Sequence, residues 1–247
     1  MVPVQMLWIG PRLSALERLS IASFLANGHA VHLYTYDEVK GIPPGTVHLY
    51  GGDVVAPSAV FSNPSGFGKG SFAGFSDRFR YQLLHDRGGL WCDTDVVCLR
   101  PFDFAGRDYV IARERVHPEI ATPEAAERLN GCVLKAPAKS AVLAECSEIC
   151  EAIDMNSLEW GDIGPALLTR VFGDHGLAGH ALPVNAICPV DWWDAPRLTA
   201  EPLRDDPSGY ALHFWNEVWR YYGHDKDGAY PEDCAYEVLK RRYGISL

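Results

Sequence analysis

No stretch of the 247-residue chain sustains the roughly 18–20 apolar residues that a bilayer core demands, so no membrane-spanning helix is expected. Surplus positive charge is missing too. A formal charge of -10 excludes a protein that coats nucleic acid, although it leaves room for a phosphorylated ligand held by a local metal or a few basic groups. The N-terminal MVPVQMLWIGPRL has neither a basic lead nor a long apolar segment, so no signal peptide is expected. Paired cysteine motifs are absent. The seven cysteines are odd in number and contain no CxxC, which favours neither a disulfide framework nor a zinc knuckle. Cys146 and Cys150, at i,i+4 spacing, read as one buried helix face. Free thiols make the cytosol the expected compartment.

What is present is an ordinary globular composition, 47% hydrophobic and 22% charged, with ample length for a core. Residues 4–9 form an apolar run ended by Gly10-Pro11 and predict a first strand. Ser14 begins a helix over Ala15–Ala26, Gly28 stops it, and 30–35 predicts a second strand. Strand, helix and strand within this length make a βαβ unit, which favours a parallel sheet. Ligands of such sheets bind beyond the carboxyl ends of the strands, where Trp8 and residues 34–37 lie. Residues 40–71, rich in Gly, Pro and Ser, predict a loop-rich crossover. Its GFGKGS lacks the GxxxxGK[ST] spacing of a phosphate loop.

The chain is organised around residues 75–101, FSDRFRYQLLHDRGGLWCDTDVVCLRP. Ser76 suits a helix N-cap and Asp77 the first turn. Phe79 and Leu83 share a face, and Gly88-Gly89 end the helix. A strand follows, broken by Asp93-Thr94-Asp95. Alternation along a strand would put both carboxylates on one side. Such a pair needs neutralising, and hard oxygen ligands suit Mg²⁺ or Mn²⁺, which would in turn hold a diphosphate.

The run Ser76-Asp77, Arg80-Tyr81, Leu84, Gly88-Gly89, Trp91 and Asp93-Thr94-Asp95 resembles the DXD-containing sugar-binding region of glycosyltransferases. That family includes α-1,4-galactosyltransferases, initiating α-1,6-mannosyltransferases and bacterial capsule enzymes; glucosylating toxins share a similar core. The resemblance implies an α/β fold of GT-A type, a Rossmann-like mixed sheet flanked by helices. It also implies a nucleotide-sugar donor, UDP-linked by analogy, Mn²⁺ or Mg²⁺, and retention of anomeric configuration. The chain then reads as a single domain over 1–247, with a nucleotide-binding half of about 1–101 and an acceptor-side half of about 102–247.

Carried residue by residue, the resemblance gives Asp77 and Arg80 to the donor sugar or ribose; their alternative is a surface ion pair at i,i+3. Trp8 stacks on the base or packs in the core, and Tyr36 approaches base or ribose. Asn130 lies near the hexose or is a turn residue. The segment Tyr210-Ala211-Leu212-His213-Phe214-Trp215-Asn216 matches the family's terminal His-x-Trp. It implies that His213 completes the metal sphere with Asp93 and Asp95 or touches the diphosphate, and that the Trp215 indole N–H touches the diphosphate. Trp160, Asp162 and Trp219 fall on the acceptor side. No nucleophile or base is assignable.

Further strands are expected over 109–113 and 181–187, a short helical piece over 124–129, and helices over 140–153, 162–172 and 234–243. The basic Lys240-Arg241-Arg242 suits the end of that last helix and would also suit peripheral contact with the inner face of a membrane. The activity expected is hexosyl transfer to a hydroxyl of a glycan, glycolipid or protein, as in bacterial polysaccharide or glycolipid synthesis. The alternatives are a non-catalytic sugar or nucleotide-sugar binding module on the same fold, and a metal-dependent phosphohydrolase. The latter lacks the further carboxylates it would need.

Overall fold

The computed structural model describes residues 2–123, 125–154, 157–203 and 209–246. Its strands are β1 (Val4–Leu7), β2 (Val31–Thr35), β3 (Val47–Tyr50), β4 (Gly89–Cys92), β5 (Val96–Cys98), β6 (Val110–Arg115), β7 (Glu127–Ala136) and β8 (Ala211–His213). The helices are α1 (Ala15–Ala26), α2 (Ala73–Arg87), α3 (Ala141–Ala152), α4 (Leu167–Asp174), α5 (Val184–Ile187), α6 (Asn216–Tyr222) and α7 (Ala235–Arg242). The main sheet runs β3-β2-β1-β4-β7-β6, and β5 and β8 form a separate two-stranded ladder. β1, β2, β3 and β4 are parallel, whereas β7 is antiparallel to β4 and to β6. This is the mixed α/β sheet flanked by helices that the resemblance implied, and its strands come from both sides of residue 101.

Period-two alternation sorts the strand residues onto two cores. Val4, Met6, Leu33, Leu90 and Cys92 join α1, α5, α6 and α7 on one face. Leu7, Tyr34, Trp91 and Leu134 join α2, α3 and α4 on the other. α1 starts as expected: Ser14 and Glu17 form a reciprocal capping box that satisfies two backbone donors at once. α2 ends at Gly88, whose φ is 64° and where a Cβ would come within 2.5 Å of the Ala138 nitrogen. Both facts restrict the position to glycine. Among the described residues no helix is long and apolar enough to cross a membrane.

Several expectations need correction. α2 begins at Ala73, one turn before Ser76; the Ser71 hydroxyl and Asn63 Oδ1 accept from the Ala73 and Gly74 amides and take over the capping. The crossover over 40–71 contains β3, an edge strand whose four residues are mostly exposed and so carry no apolar pattern. The helical piece over 124–129 is replaced from Glu127 by β7, and Glu124 lies outside the described residues. The expected strand over 181–187 is the short helix α5, with Ala181 making only an isolated bridge to Ile111.

Candidate active site

Beyond the carboxyl ends of β1 and β4 opens a cleft of about 890 Å³, at the large end of the range for small-molecule sites. Asp93-Thr94-Asp95 lies on its floor. The triplet is not in a strand. β4 stops at Cys92, and the Val96 amide returns to the Asp93 carbonyl at 3.2 Å, so a tight turn, not strand alternation, brings the carboxylates together. β5 follows at once and pairs with β8 in the register Val96↔His213. That pairing delivers the imidazole: ligand atoms of Asp93, Asp95 and His213 lie within 4.8 Å of one another.

Asp95 is the better prepared acid. Its Oδ2 accepts the Asn216 amide at 2.7 Å and faces His213 Nε2 at 3.3 Å. Its Oδ1 is buried with no hydrogen-bond partner. A buried, unpartnered carboxylate oxygen is costly, and a divalent cation would satisfy it, so the residues fit such an ion. Burial pushes the Asp95 carboxyl up, but His213 and the Asn216 amide outweigh it and hold the group below its ordinary value. Burial likewise opposes charge on His213, yet Cys132 and Asp95 raise the imidazole well above its ordinary value. Cys132 itself is kept neutral by burial, which leaves Asp95 as the effective partner at neutral pH.

The chain reaches Asp95 through a strained corner. Trp215 sits at φ 56°, ψ 56°, a conformation disfavoured for a bulky residue by about 1–3 kcal/mol. Its ring lies 3.9 Å from that of His213 and its Nε1 donates to the Val190 carbonyl at 2.9 Å. The left-handed turn aims the Asn216 amide at Asp95. The indole N–H expected on a diphosphate is therefore already engaged.

Arg80 forms the opposite wall. Its guanidinium donates to Asp77 Oδ1 and Asp93 Oδ1, each at 2.9 Å, and lies 5.2 Å above the Trp91 ring. Trp91 Nε1 donates to the same Asp93 oxygen at 2.7 Å. The pair Asp77–Arg80 is thus buried, not a surface ion pair. Two glycines make room for it. A Cβ on Gly131 would overlap the guanidinium, and one on Gly164 would come within 2.8 Å of Asp77 Oδ2.

Burial raises the Asp77 carboxyl to about 6, with Arg80 opposing and Asp93 adding to the rise. A folded-state value above the unfolded one means that the folded chain holds this proton more tightly. The resulting stability is complete below pH about 4 and lost as pH rises through about 6, amounting to about 3 kcal/mol. In metal-free urea unfolding, the stability of the wild type relative to Asp77→Asn should fall by that order between pH 4 and pH 7. A flat difference would mean that Asp77 ionises normally.

Of the residues proposed for donor, metal and acceptor, Trp8, Asp77, Arg80, Asp93, Asp95, Asn130, Trp160, His213 and Trp215 line the cleft. Asn130 Nδ2 donates to Glu114 and its Oδ1 accepts the Cys132 amide. Trp160 stands half exposed at the rim, 5.3 Å from the Phe67 ring. Three others sit elsewhere. Tyr36 packs on Phe75 and Phe79 with its hydroxyl on the Val55 carbonyl. Asp162 accepts the Glu159 amide, a turn role. Trp219 is fully buried against Phe214 and Tyr236, so it belongs to the core.

Among the charged residues on the cleft wall that escaped the sequence reading are Glu114, Arg128 and Lys226. Glu114 is buried and bound by Arg128 as well as Asn130. Lys226 Nζ lies 2.5 Å from the buried Glu17 and 5.3 Å over the Trp8 ring. No local motif marks any of these positions; only the fold assembles them.

A family model described as glycosyltransferase sugar-binding region containing DXD motif matches residues 68–117. The chain is 30% identical over 158 residues to lactosylceramide 4-alpha-galactosyltransferase of Mus musculus, covering 58% of this chain and 40% of that protein. The protein of the same name from Rattus norvegicus is 31% identical over 161 residues, with the same shares covered. The matched region thus spans about two fifths of the length of these curated relatives. Among solved structures, PaToxG glycosyltransferase superposes with a TM-score of 0.48 at 12% identity, over 99% of this chain and 85% of that one. The apo-form glycosyltransferase GlyE of Streptococcus pneumoniae TIGR4 gives 0.48 at 13%, over 99% and 63%. Residues 68–117 are thus similar to a glycosyltransferase sugar-binding region of the DXD type, and the DXD triplet within the match is Asp93-Thr94-Asp95.

Proposed function

We propose that the chain is a metal-dependent glycosyltransferase of GT-A type that moves a hexose from a nucleotide-diphospho-sugar to a hydroxyl. The observation that carries this reading is the convergence of Asp93, Asp95 and His213 on one cleft, with Asp95 Oδ1 buried and unpartnered. UDP is the preferred nucleotide. Galactose is the first hexose to test, since the relatives are named as galactosyltransferases. The acceptor is a glycan, glycolipid or protein hydroxyl, in bacterial polysaccharide or glycolipid synthesis, met in the cytosol or at the inner face of a membrane.

Each residue has a part. Asp93, Asp95 and His213 would hold Mn²⁺ or Mg²⁺, which would supply positive charge for the departing diphosphate. Lys226 adds a cation to the same wall. Trp8 offers its ring to the base. Arg80, fixed by Asp77 and Asp93, presents the edge of its fork to hydroxyls, with Asn130 and Glu114 beside it. With retention, the bond from C1 to the diphosphate breaks and the bond from C1 to the acceptor oxygen forms on the same face. The acceptor proton passes to the leaving phosphate oxygen.

The test is nucleotide release by the purified chain from UDP-galactose, UDP-glucose, UDP-N-acetylglucosamine and GDP-mannose. Release is expected with a UDP-sugar only when Mn²⁺ or Mg²⁺ is present, to be abolished by EDTA and restored by Mn²⁺. Tight UDP binding without release or transfer from any donor would instead make the chain a binding module.

A further inference from the structure

Behind the cleft wall a second ligand set shares one residue with the first. Cys132 Sγ, Cys188 Sγ and a ring nitrogen of His213 lie within 4.8 Å of one another, and all three residues are buried. Cys132 comes from the centre of β7, Cys188 follows α5, and His213 ends β8. The imidazole is used from both sides: Nε2 faces Asp95 at 3.3 Å, whereas Nδ1 stands 3.7 Å from Cys188 Sγ. A tetrahedral ion with bonds of about 2.3 Å to sulfur and about 2.0 Å to nitrogen holds those two atoms about 3.6 Å apart. The observed separation already matches that spacing.

We infer that Cys132, Cys188 and His213 Nδ1 form a site for a thiophilic d¹⁰ cation of the Zn²⁺ or Cd²⁺ class. It overlaps the oxygen-rich set proposed for Mn²⁺ or Mg²⁺ at His213 alone. Ligand softness sorts the ions, since two sulfurs and an imidazole select the first class and carboxylates the second. Three protein ligands leave a fourth position for water. His213 lines the cleft, which gives the ion its way in. As the ion binds, two thiol protons and the Nδ1 proton of the imidazolium leave to solvent, and two metal–sulfur bonds and one metal–nitrogen bond form.

Sharing one imidazole makes the two sites antagonists. With a cation on Nδ1, the ring proton must sit on Nε2, which then donates to Asp95 and offers no lone pair to a second ion. Occupancy by a soft cation therefore removes one ligand from the Mn²⁺ set without displacing anything from Asp93 or Asp95. This inference does not depend on transferase chemistry, and a chain that turned over no nucleotide sugar would still show it.

The probe is Cd²⁺ alone, titrated into the metal-free chain. One equivalent should produce cadmium–thiolate charge-transfer absorption, and the ¹¹³Cd resonance of the wild type should report two sulfurs. Mn²⁺ affinity, followed by electron paramagnetic resonance, should then weaken about tenfold or more, within the usual span of coupling between sites. In Cys132→Ala and Cys188→Ala, checked for folding by melting temperature, the absorption should disappear and Mn²⁺ binding should stop responding to Cd²⁺. The proposal is overturned if one equivalent gives no thiolate band in the wild type. It is equally overturned if the band survives in both variants, or if Cd²⁺ weakens Mn²⁺ binding as much in the variants as in the wild type, which would place the competition at the carboxylates. The wild-type resonance decides the matter even if neither variant folds.

Discussion

Replacing Arg80 by methionine should destabilise the fold by about 3–5 kcal/mol, the usual consequence of removing one partner from a buried charge cluster. The substitution keeps the apolar stem over Trp91 but removes the fork that binds Asp77 and Asp93. The two carboxylates then lose the guanidinium they share, and burial already pushes both of them up. Urea unfolding of the metal-free protein at pH 7 measures the loss. Two controls sharpen it. At pH 4 the loss should shrink, because Asp77 is then protonated. Adding Asp77→Asn and Asp93→Asn to Arg80→Met should recover much of it. A loss below about 1 kcal/mol would mean that the cluster behaves like an exposed ion pair.

Asp95→Asn should remove turnover almost entirely, lowering kcat by a factor of at least about 10²–10³, as expected for the loss of one preorganised electrostatic contact to the leaving group. The amide oxygen can still accept the Asn216 N–H, so the corner at Trp215 persists and the variant folds. What disappears is the anion that His213 holds below its ordinary value. Because a ligand that binds only the folded chain raises its melting temperature, Mn²⁺ should stabilise the wild type and leave Asp95→Asn unmoved. Asp93→Asn should be milder toward Mn²⁺, since one oxygen of Asp93 is already committed to Arg80 and Trp91. Equal Mn²⁺ shifts in the wild type and in Asp95→Asn would remove this residue from the ion's ligands.

Much of the site was legible because its parts have strong local signatures. Gly88-Gly89, Trp91 and the 93–95 triplet lie within one short block, and β1, α1 and β2 follow from apolar period and glycine stops. Why the two acids meet was misread: strand alternation suggested it, but a turn achieves it. Other features were hidden for physical reasons. β3 is an exposed edge strand with no apolar face to display. Glu114, Arg128 and Lys226 acquire meaning only when distant segments pack, as does the space that Gly131 leaves for a guanidinium. Tyr36 and Trp219 were overassigned because an aromatic residue near a motif serves equally well as core, and here the core claimed both.

The ladder between β5 and β8 joins segments far apart in the chain, the Asn216 amide reaching Asp95 across 121 positions. Such long-range pairing is slow to establish, because loop closure must precede the contacts that reward it. During translation, a nascent polypeptide released before residue 211 would possess both acids of the motif and no imidazole to accompany them. The three candidate ligands of the cleft therefore come together only when β8 pairs with β5, a step that the six-stranded sheet, whose last strand in chain order ends at Ala136, does not require.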